Sequence, residues 1–148
     1  MLFREAHISD IERLHSIRLA VKENMLTNPH LVTERHYKDL LSSDGKGWVC
    51  EVDGQIHGFA IIDTQKENVW ALFVHPFYEK SGIGKRLHHI MLDWYFNQGK
   101  DRIWLSTSAN TRAEKFYRKA GWQAVGFYED DELKFEMRKE RWEQYKHT

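Results

Sequence analysis

Two glycines one residue apart, Gly82 and Gly84, followed at once by Lys85, are the residues here whose spacing first suggests chemistry. They sit in Val74-His75-Pro76-Phe77-Tyr78-Glu79-Lys80-Ser81-Gly82-Ile83-Gly84-Lys85-Arg86-Leu87, which starts as a strand, is halted by a proline and resumes as a periodic helix. Closely spaced glycines let backbone N–H groups converge on an anion, and the unsatisfied donors of a new helix face the same point. Lys85 adds a mobile positive charge. A plain strand-to-helix turn, with glycines relieving crowding, also accounts for an isolated Gly-x-Gly, so the surrounding chain has to decide. A Walker loop is excluded because Glu79 stands where its first glycine belongs and Arg86 replaces the metal-binding hydroxyl. The dinucleotide fingerprint needs a third glycine where Leu87 stands.

Other reactive residue types offer less. Cys50 stands alone, which excludes an internal disulfide and a paired-cysteine zinc site, and its place in an apolar strand reads as a small buried hydrophobe. None of the nine histidines pair at the i, i+4 spacing that chelates a metal from one helix face, so no metal site is expected. With 22 basic and 22 acidic side chains the chain has no global field for nucleic acid or an anionic membrane. Met1 to Glu5 lack a signal-peptide core and no apolar run approaches the ~20 residues of a membrane span, so a cytoplasmic location is expected. A length of 148 residues fits one domain, with residues 139–148 as a polar tail or frayed helix.

The elements that must position the loop follow from periodicity. Residues 2–5 read as a strand, and Ser9-x-x-Glu12 reads as a capping box opening a helix over about 9–26, broken by Asn28-Pro29. Thr33 caps a second helix, with Val32 and Tyr37 as its hydrophobic staple. Asp53-Gly54 joins two strands as a hairpin. Val69 to Val74 is continuously apolar, as in a strand buried on both faces, and delivers the chain to the loop. The helix after Gly84 carries Leu87, Ile90, Met91, Trp94 and Tyr95 inward, with His88 and His89 on or beside its polar face. Arg102 to Ser106 returns as a strand, completing a crossover that places the loop at the carboxyl end of an interior strand, where open α/β sheets bind ligands. Thr111-x-x-Glu114 opens another helix, Gly121 closes it, and two antiparallel strands flank the acidic turn 129–132.

This order of elements, with Gly82-Ile83-Gly84-Lys85 at a helix start and Asn110-x-x-Ala113-x-x-Phe116-Tyr117-x-x-x-Gly121-Trp122 on the next helix, resembles the GCN5-related N-acetyltransferase (GNAT) family over roughly residues 2–138. The family's pyrophosphate loop usually begins with Gln or Arg, and Glu79 departs from that while both glycines match. The resemblance implies an α/β fold: a mixed, mostly antiparallel twisted sheet of about six or seven strands with a central splayed parallel pair, flanked by about four helices. It further implies an acyl-CoA-dependent N-acetyltransferase acting on acetyl-CoA, with the backbone of Leu72, Phe73 and Val74 pairing with the pantetheine arm. Lys80, Ser81, Gly82, Ile83, Gly84 and Lys85 would hold the pyrophosphate, and a backbone N–H near Val74 would meet the oxyanion. Asn110 would bind the pantetheine arm, end the loop before Thr111, or both.

The resemblance assigns to Tyr117 the proton for the departing thiolate, a role a phenol of ordinary pKa ~10 can fill. The same position belongs to an inward stripe, so Tyr117 also reads as a core aromatic. For the base, Trp70 and Ala71 stand where a strand carboxylate might have been expected; Glu51, Glu67, Glu79 and His75 are candidates by neighbourhood, and proton loss through water is the leading expectation. Arg18, Glu23, Asn24, Tyr37, Trp70 and the 129–132 turn would surround an amine-bearing acceptor, a small molecule rather than a protein terminus. Relatives often dimerise through their last strands, which leaves a homodimer open. The alternative function is an acyl-CoA-binding domain without turnover.

Overall fold

In the computed structural model, which describes residues 1–21, 32–129 and 131–147, Asp53 and Gly54 adopt φ of 53° and 78°, the left-handed pair that a two-residue hairpin turn requires. The turn joins β2 (Gly45–Val52) to β3 (Gln55–Asp63). With β1 (Leu2–Glu5) and β4 (Asn68–Val74) these strands form an antiparallel run in the order β1-β2-β3-β4. They belong to the first of two compact units, residues 1–91, and the second covers 92–148.

The first helix is shorter and differently opened than the sequence suggests. A 3-10 turn at Ile8–Asp10 precedes α1 (Ile11–Ala20), and His7 N–H donates to Asp10 Oδ2 at 2.8 Å. The capping carboxylate is thus Asp10, three residues after His7, rather than Glu12 after Ser9. Asp10 outcompetes because Arg4 holds it at 2.9 Å while also reaching Glu51 at 3.0 Å, tying helix start, β1 and β2 together. Val21 leaves the helix with φ −83° and ψ 104°. Glu23, Asn24 and the Asn28-Pro29 break lie outside the described residues. Thr33 precedes α2 (Glu34–Asp39) as expected, and Tyr37 is fully buried among Leu14, Ile17, Phe59 and Phe73.

Strand β4 corrects the expectation of burial on both faces. Val69, Ala71 and Phe73 are buried, whereas Trp70, Leu72 and Val74 are half-buried. A run of apolar residues carries no alternation from which to tell a covered face from a partly open one.

Helix α3 (Ile83–Phe96) lies directly on β3. A Cβ at Gly58 would sit 2.7 Å from Ile83 Cγ2 and 3.3 Å from Leu87 Cδ1, so only glycine admits this approach. The close fit widens the buried stripe of α3 beyond the predicted residues. His88, expected on or beside the polar face, is buried at 3% exposure. Burial, with the neighbouring His89 adding, pushes its imidazole down to about 3, so it is neutral in the folded chain.

In the second unit the strands β5 (Arg102–Ser108), β7 (Glu132–Arg138) and β6 (Gln123–Tyr128) pair antiparallel, with β7 between the other two. Helix α4 spans Arg112–Lys119. Gly121 closes it at φ 97°, and a Cβ there would strike the Tyr145 ring at 2.7 Å. Of the two readings of residues 139–148, tail or frayed helix, the helical one is found, as α5 (Lys139–Tyr145), anchored by Trp142, whose indole N–H donates to Asp93 Oδ1 at 2.8 Å.

His88 predicts an acid-sensitive fold. Its folded-state pKa lies below the unfolded value of ~6.5, so the unfolded chain binds the extra proton and stability falls as pH drops through 6.5 toward 3. Denaturant titration should show this group removing about 2 kcal/mol between pH 6.5 and 5. His88→Leu should flatten the pH dependence by that amount, whatever its stability at pH 7.

Candidate functional site

The end of β4 and the start of α3 are fixed by neighbouring residues of β3. His75 N–H donates to His57 O at 2.8 Å, extending the β3–β4 ladder past Val74. A 3-10 turn at Pro76–Tyr78 follows, closed by Tyr78 N–H to His75 O at 2.8 Å and by Phe77 N–H to His75 Nδ1 at 3.2 Å. The Tyr78 ring stacks on His57 with centroids 3.7 Å apart. Burial lowers the His57 pKa, and Arg13 and His75 act in the same direction, so the ring is a neutral stacking partner.

After this turn Lys80 and Gly82 take φ of 64° and 88°, and Ser81 Oγ donates back to Tyr78 O. Left-handed residues alternating along a short loop turn successive N–H groups toward one side, the concavity in which anions lodge. The first backbone bond of the helix runs from Arg86 N–H to Gly82 O at 3.1 Å, so the amides of Ile83, Gly84 and Lys85 precede the helical ladder. A Cβ on Gly82 would meet no atom within 4 Å, and on Gly84 it would reach only Val74 Cγ2 at 3.5 Å. The loop therefore opens onto free space, with Lys80, Ser81 and Lys85 exposed around it. These residues fit a phosphate-bearing ligand held mainly by main chain.

Register decides what β4 offers. His75 bonds directly to His57, and Val74 faces Gly58, Phe73 faces Phe59 and Leu72 faces Ala60. In an antiparallel ladder bonded and non-bonded pairs alternate, so Phe73 is turned to β3 while the main-chain groups of Leu72 and Val74 face away from it. The Phe73 side chain is buried in the core. Leu72 to Val74 and Lys80 to Lys85 thus form one continuous feature of the first unit.

Asn110 and Tyr117 belong to the second unit. Asn110 has φ 63°, and its N–H donates to Glu114 Oε1 at 2.7 Å. Thr111 Oγ1 accepts from Glu114 N–H at 3.3 Å and donates to Ser108 O at 2.8 Å. The expected capping box is present with Glu114 reaching one residue further back, so Asn110 ends the loop. Its N–H bond, followed by Arg118, lowers the Glu114 pKa. Tyr117 is buried at 7% exposure, edge-on to Phe116 and Trp122 with centroids 5.2 and 5.5 Å away. Burial raises its phenol pKa, which keeps it protonated through the neutral range.

Arg18, Tyr37 and Trp70, expected near the acceptor, are brought together in the first unit. The guanidinium carbon lies 4.8 Å from the Trp70 ring centroid and 4.9 Å from that of Phe73. Tyr37 supports it through its hydroxyl, packs edge-on to Trp70 at 5.0 Å and meets His15 Nδ1 at 3.0 Å. Arg18 Nε and Nη1 are buried without a hydrogen-bond partner. Burial lowers the Arg18 pKa, with Tyr37 opposing, and an arginine remains charged through such shifts. Each unfilled donor costs about 1–3 kcal/mol, more where it is charged. His15 was not anticipated, although its i, i+3 relation to Arg18 on α1 was the available signal.

The base candidates are dispersed. Glu51 is engaged by Arg4, Glu67 is exposed in the β3–β4 turn at φ 57°, Glu79 is half-buried after Tyr78, and His75 Nδ1 is occupied by Phe77 N–H. Among the described residues no cluster of His, Cys, Asp or Glu is arranged for a metal, and no helix is long and apolar enough to cross a membrane.

A sequence model described as the acetyltransferase (GNAT) family matches residues 11–122. No curated protein matches the chain by sequence. Among solved structures, the ribosomal-protein-S18-alanine N-acetyltransferase of Escherichia coli is 16% identical with a TM-score of 0.76, over 93% of this chain and 92% of that one. The PaiA N-acetyltransferase of Thermoplasma acidophilum, solved with coenzyme A, is 16% identical with a TM-score of 0.74, over 93% and 98%. A GNAT-family acetyltransferase of Staphylococcus aureus Mu50 is 20% identical with a TM-score of 0.77, over 93% and 98%. These likenesses show the expected fold, with seven strands and five α-helices among the described residues.

The loop geometry separates its two glycines. Gly82→Ala forces a Cβ into the left-handed region and should lower stability by about 1–2 kcal/mol in denaturant titration. Gly84→Ala, inside the helix with ordinary contact distance, should be neutral or stabilising.

Proposed function

The chain belongs to the acetyltransferase (GNAT) family, and from that premise we propose that it transfers an acetyl group from acetyl-CoA to a primary amine by direct attack, with no acyl-enzyme. Family membership makes it an acyl-CoA-dependent acetyltransferase; the amine, the residue roles and the mechanism are the proposal. The observation that carries it is the open loop at Lys80–Lys85, whose left-handed residues and first-turn amides suit a pyrophosphate, at the end of a strand with main-chain groups turned away from β3.

In this reading Leu72 and Val74 offer their outward main-chain groups to the pantetheine arm, and Phe73 anchors the strand between them. The loop amides and Lys80 and Lys85 take the pyrophosphate, and Asn110 serves the arm. The Val74 N–H meets the developing oxyanion. The ammonium first loses a proton to water; the neutral amine nitrogen then bonds to the thioester carbon, the carbon–sulfur bond breaks, and Tyr117 protonates the departing thiolate and regains its proton, through solvent, from the second N–H that the acetylated nitrogen sheds. Three facts support loss of the first proton through water: Leu72 and Val74 are half-buried and carry no carboxylate, Glu51 is engaged by Arg4, and His75 Nδ1 is occupied. Burial of Tyr117 supports its role in one respect, because a phenol kept protonated always has a proton to give. No metal takes part. The acceptor is a small amine, and the setting is the cytoplasm.

Thermal melting with acetyl-CoA, CoA and ATP tests the ligand class. Either CoA species at about a hundred times its Kd should raise Tm by about 5–10 °C, and ATP should not. No response to either CoA species would sink the proposal. With thiol release as the readout over an amine panel, Tyr117→Phe should lower kcat by about 10²–10⁴ while acetyl-CoA affinity holds. Unchanged turnover would leave Tyr117 a core aromatic. Binding of CoA with no thiol release from any amine would favour the non-catalytic alternative.

A further inference from the structure

Among the described residues the guanidinium of Arg18 meets no counter-ion. Trp70 and Phe73 present ring faces, Tyr37 presents a neutral hydroxyl, and His15 lies beyond Tyr37. Among the described residues no carboxylate bears on it. Two of its nitrogens are buried without an acceptor, on a residue that is half-buried overall. A structural arginine normally has these donors filled, because water withdrawn from a charged donor must be replaced by another acceptor.

The place of this charge connects it to the proposed chemistry. Trp70 and Phe73 stand on either side of Ala71 and Leu72 along β4, and Val74 follows directly with its main chain turned away from β3. The Arg18 cation, carried by α1, packs on two side chains of the strand proposed to receive the thioester. The aromatic faces hold the guanidinium without consuming its N–H groups, since cation–π attraction uses the ring quadrupole. Its single charge, beside a neutral phenol, balances a monoanion.

We propose that the acceptor carries a carboxylate in addition to its amine, and that Arg18 receives that carboxylate through the donors the fold leaves unfilled. This rests on the acetyl-transfer reading and narrows it to amino-carboxylate acceptors. The carboxylate fixes the acceptor while the amine nitrogen attacks, so Arg18 is a binding and specificity residue and takes no proton.

The test compares free amino acids with their α-carboxamides, which keep the amine and remove the negative charge. With acetyl-CoA and thiol release, the wild type should prefer at least one acid over its amide in kcat/KM by about ten- to a hundredfold, the range expected for a charge-assisted hydrogen bond. In Arg18→Gln that preference should collapse, mainly through KM, and Arg18→Lys should restore part of it. Arg18→Met, which keeps an apolar stem between the rings, checks folding independently by its melting curve. The same acids without acetyl-CoA should raise the Tm of the wild type and not of Arg18→Gln, a readout that survives if acetyl transfer fails with every amine. Equal use of acid and amide by the wild type overturns the proposal, as does a preference that persists in Arg18→Gln. With no turnover at all, the absence of an Arg18-dependent shift does the same. Loss of the acetyl-CoA melting shift would refute the acetyl-transfer reading separately.

Discussion

Two adjacent residues of β3 set the geometry of the loop. His57 takes the N–H of His75 and stacks under Tyr78, fixing where β4 ends and how the chain turns. Gly58, the next residue, leaves the room that Ile83 and Leu87 fill, fixing where α3 begins. The chain between these anchors has few residues in which to reverse and start a helix. Lys80 and Gly82 absorb the constraint by going left-handed, and the converging amides follow from that. The geometry of the loop is a consequence of helix-on-sheet packing at Gly58.

That arrangement explains how a chain with no net charge can suit a highly charged ligand. Main-chain dipoles held by packing need no side-chain counter-ions and little reorganisation, whereas a cluster of arginines would repel itself in the empty state. His57 and His88 are neutral because burial disfavours their charged forms, so neither adds an uncontrolled pH-dependent field beside the loop. The cost of that neutrality appears as sensitivity to acid.

Local chemistry was legible in the sequence wherever one residue type forces one conformation. Asp53-Gly54, Thr33, Gly82 and Gly121 all act where periodicity placed them. The misreadings involve competition between partners distant in sequence. Asp10 supplanted Glu12 because Arg4 and Glu51 meet it across two strands. The half-open face of β4 was hidden because all its residues are apolar, and His88 was buried by the close approach that Gly58 permits. The last helix was left as one of two readings by its charged residues, since an indole bonded to Asp93, forty-nine positions away, anchors it. The candidate site divides in the same way: the loop could be read from its glycines, but the enclosure of Arg18 needs Trp70, Phe73 and Tyr37 from two further elements.

Burial of Arg18 runs against the economy seen elsewhere in the fold. The Arg4 bridge shows the usual solution, in which a partly buried guanidinium faces carboxylates on Asp10 and Glu51 and its pKa rises as a result. Arg18 on the same chain has a lowered pKa, aromatic faces in place of carboxylates and unfilled donors. A core that needed only volume there would be more stable with methionine or leucine, since an apolar side chain carries no desolvation penalty. The contrast between the two arginines locates a strain that stability alone does not account for. It lies against β4, where the main-chain groups of Leu72 and Val74 turn away from β3, so a charge with unfilled donors on α1 packs on the strand that leads to the loop.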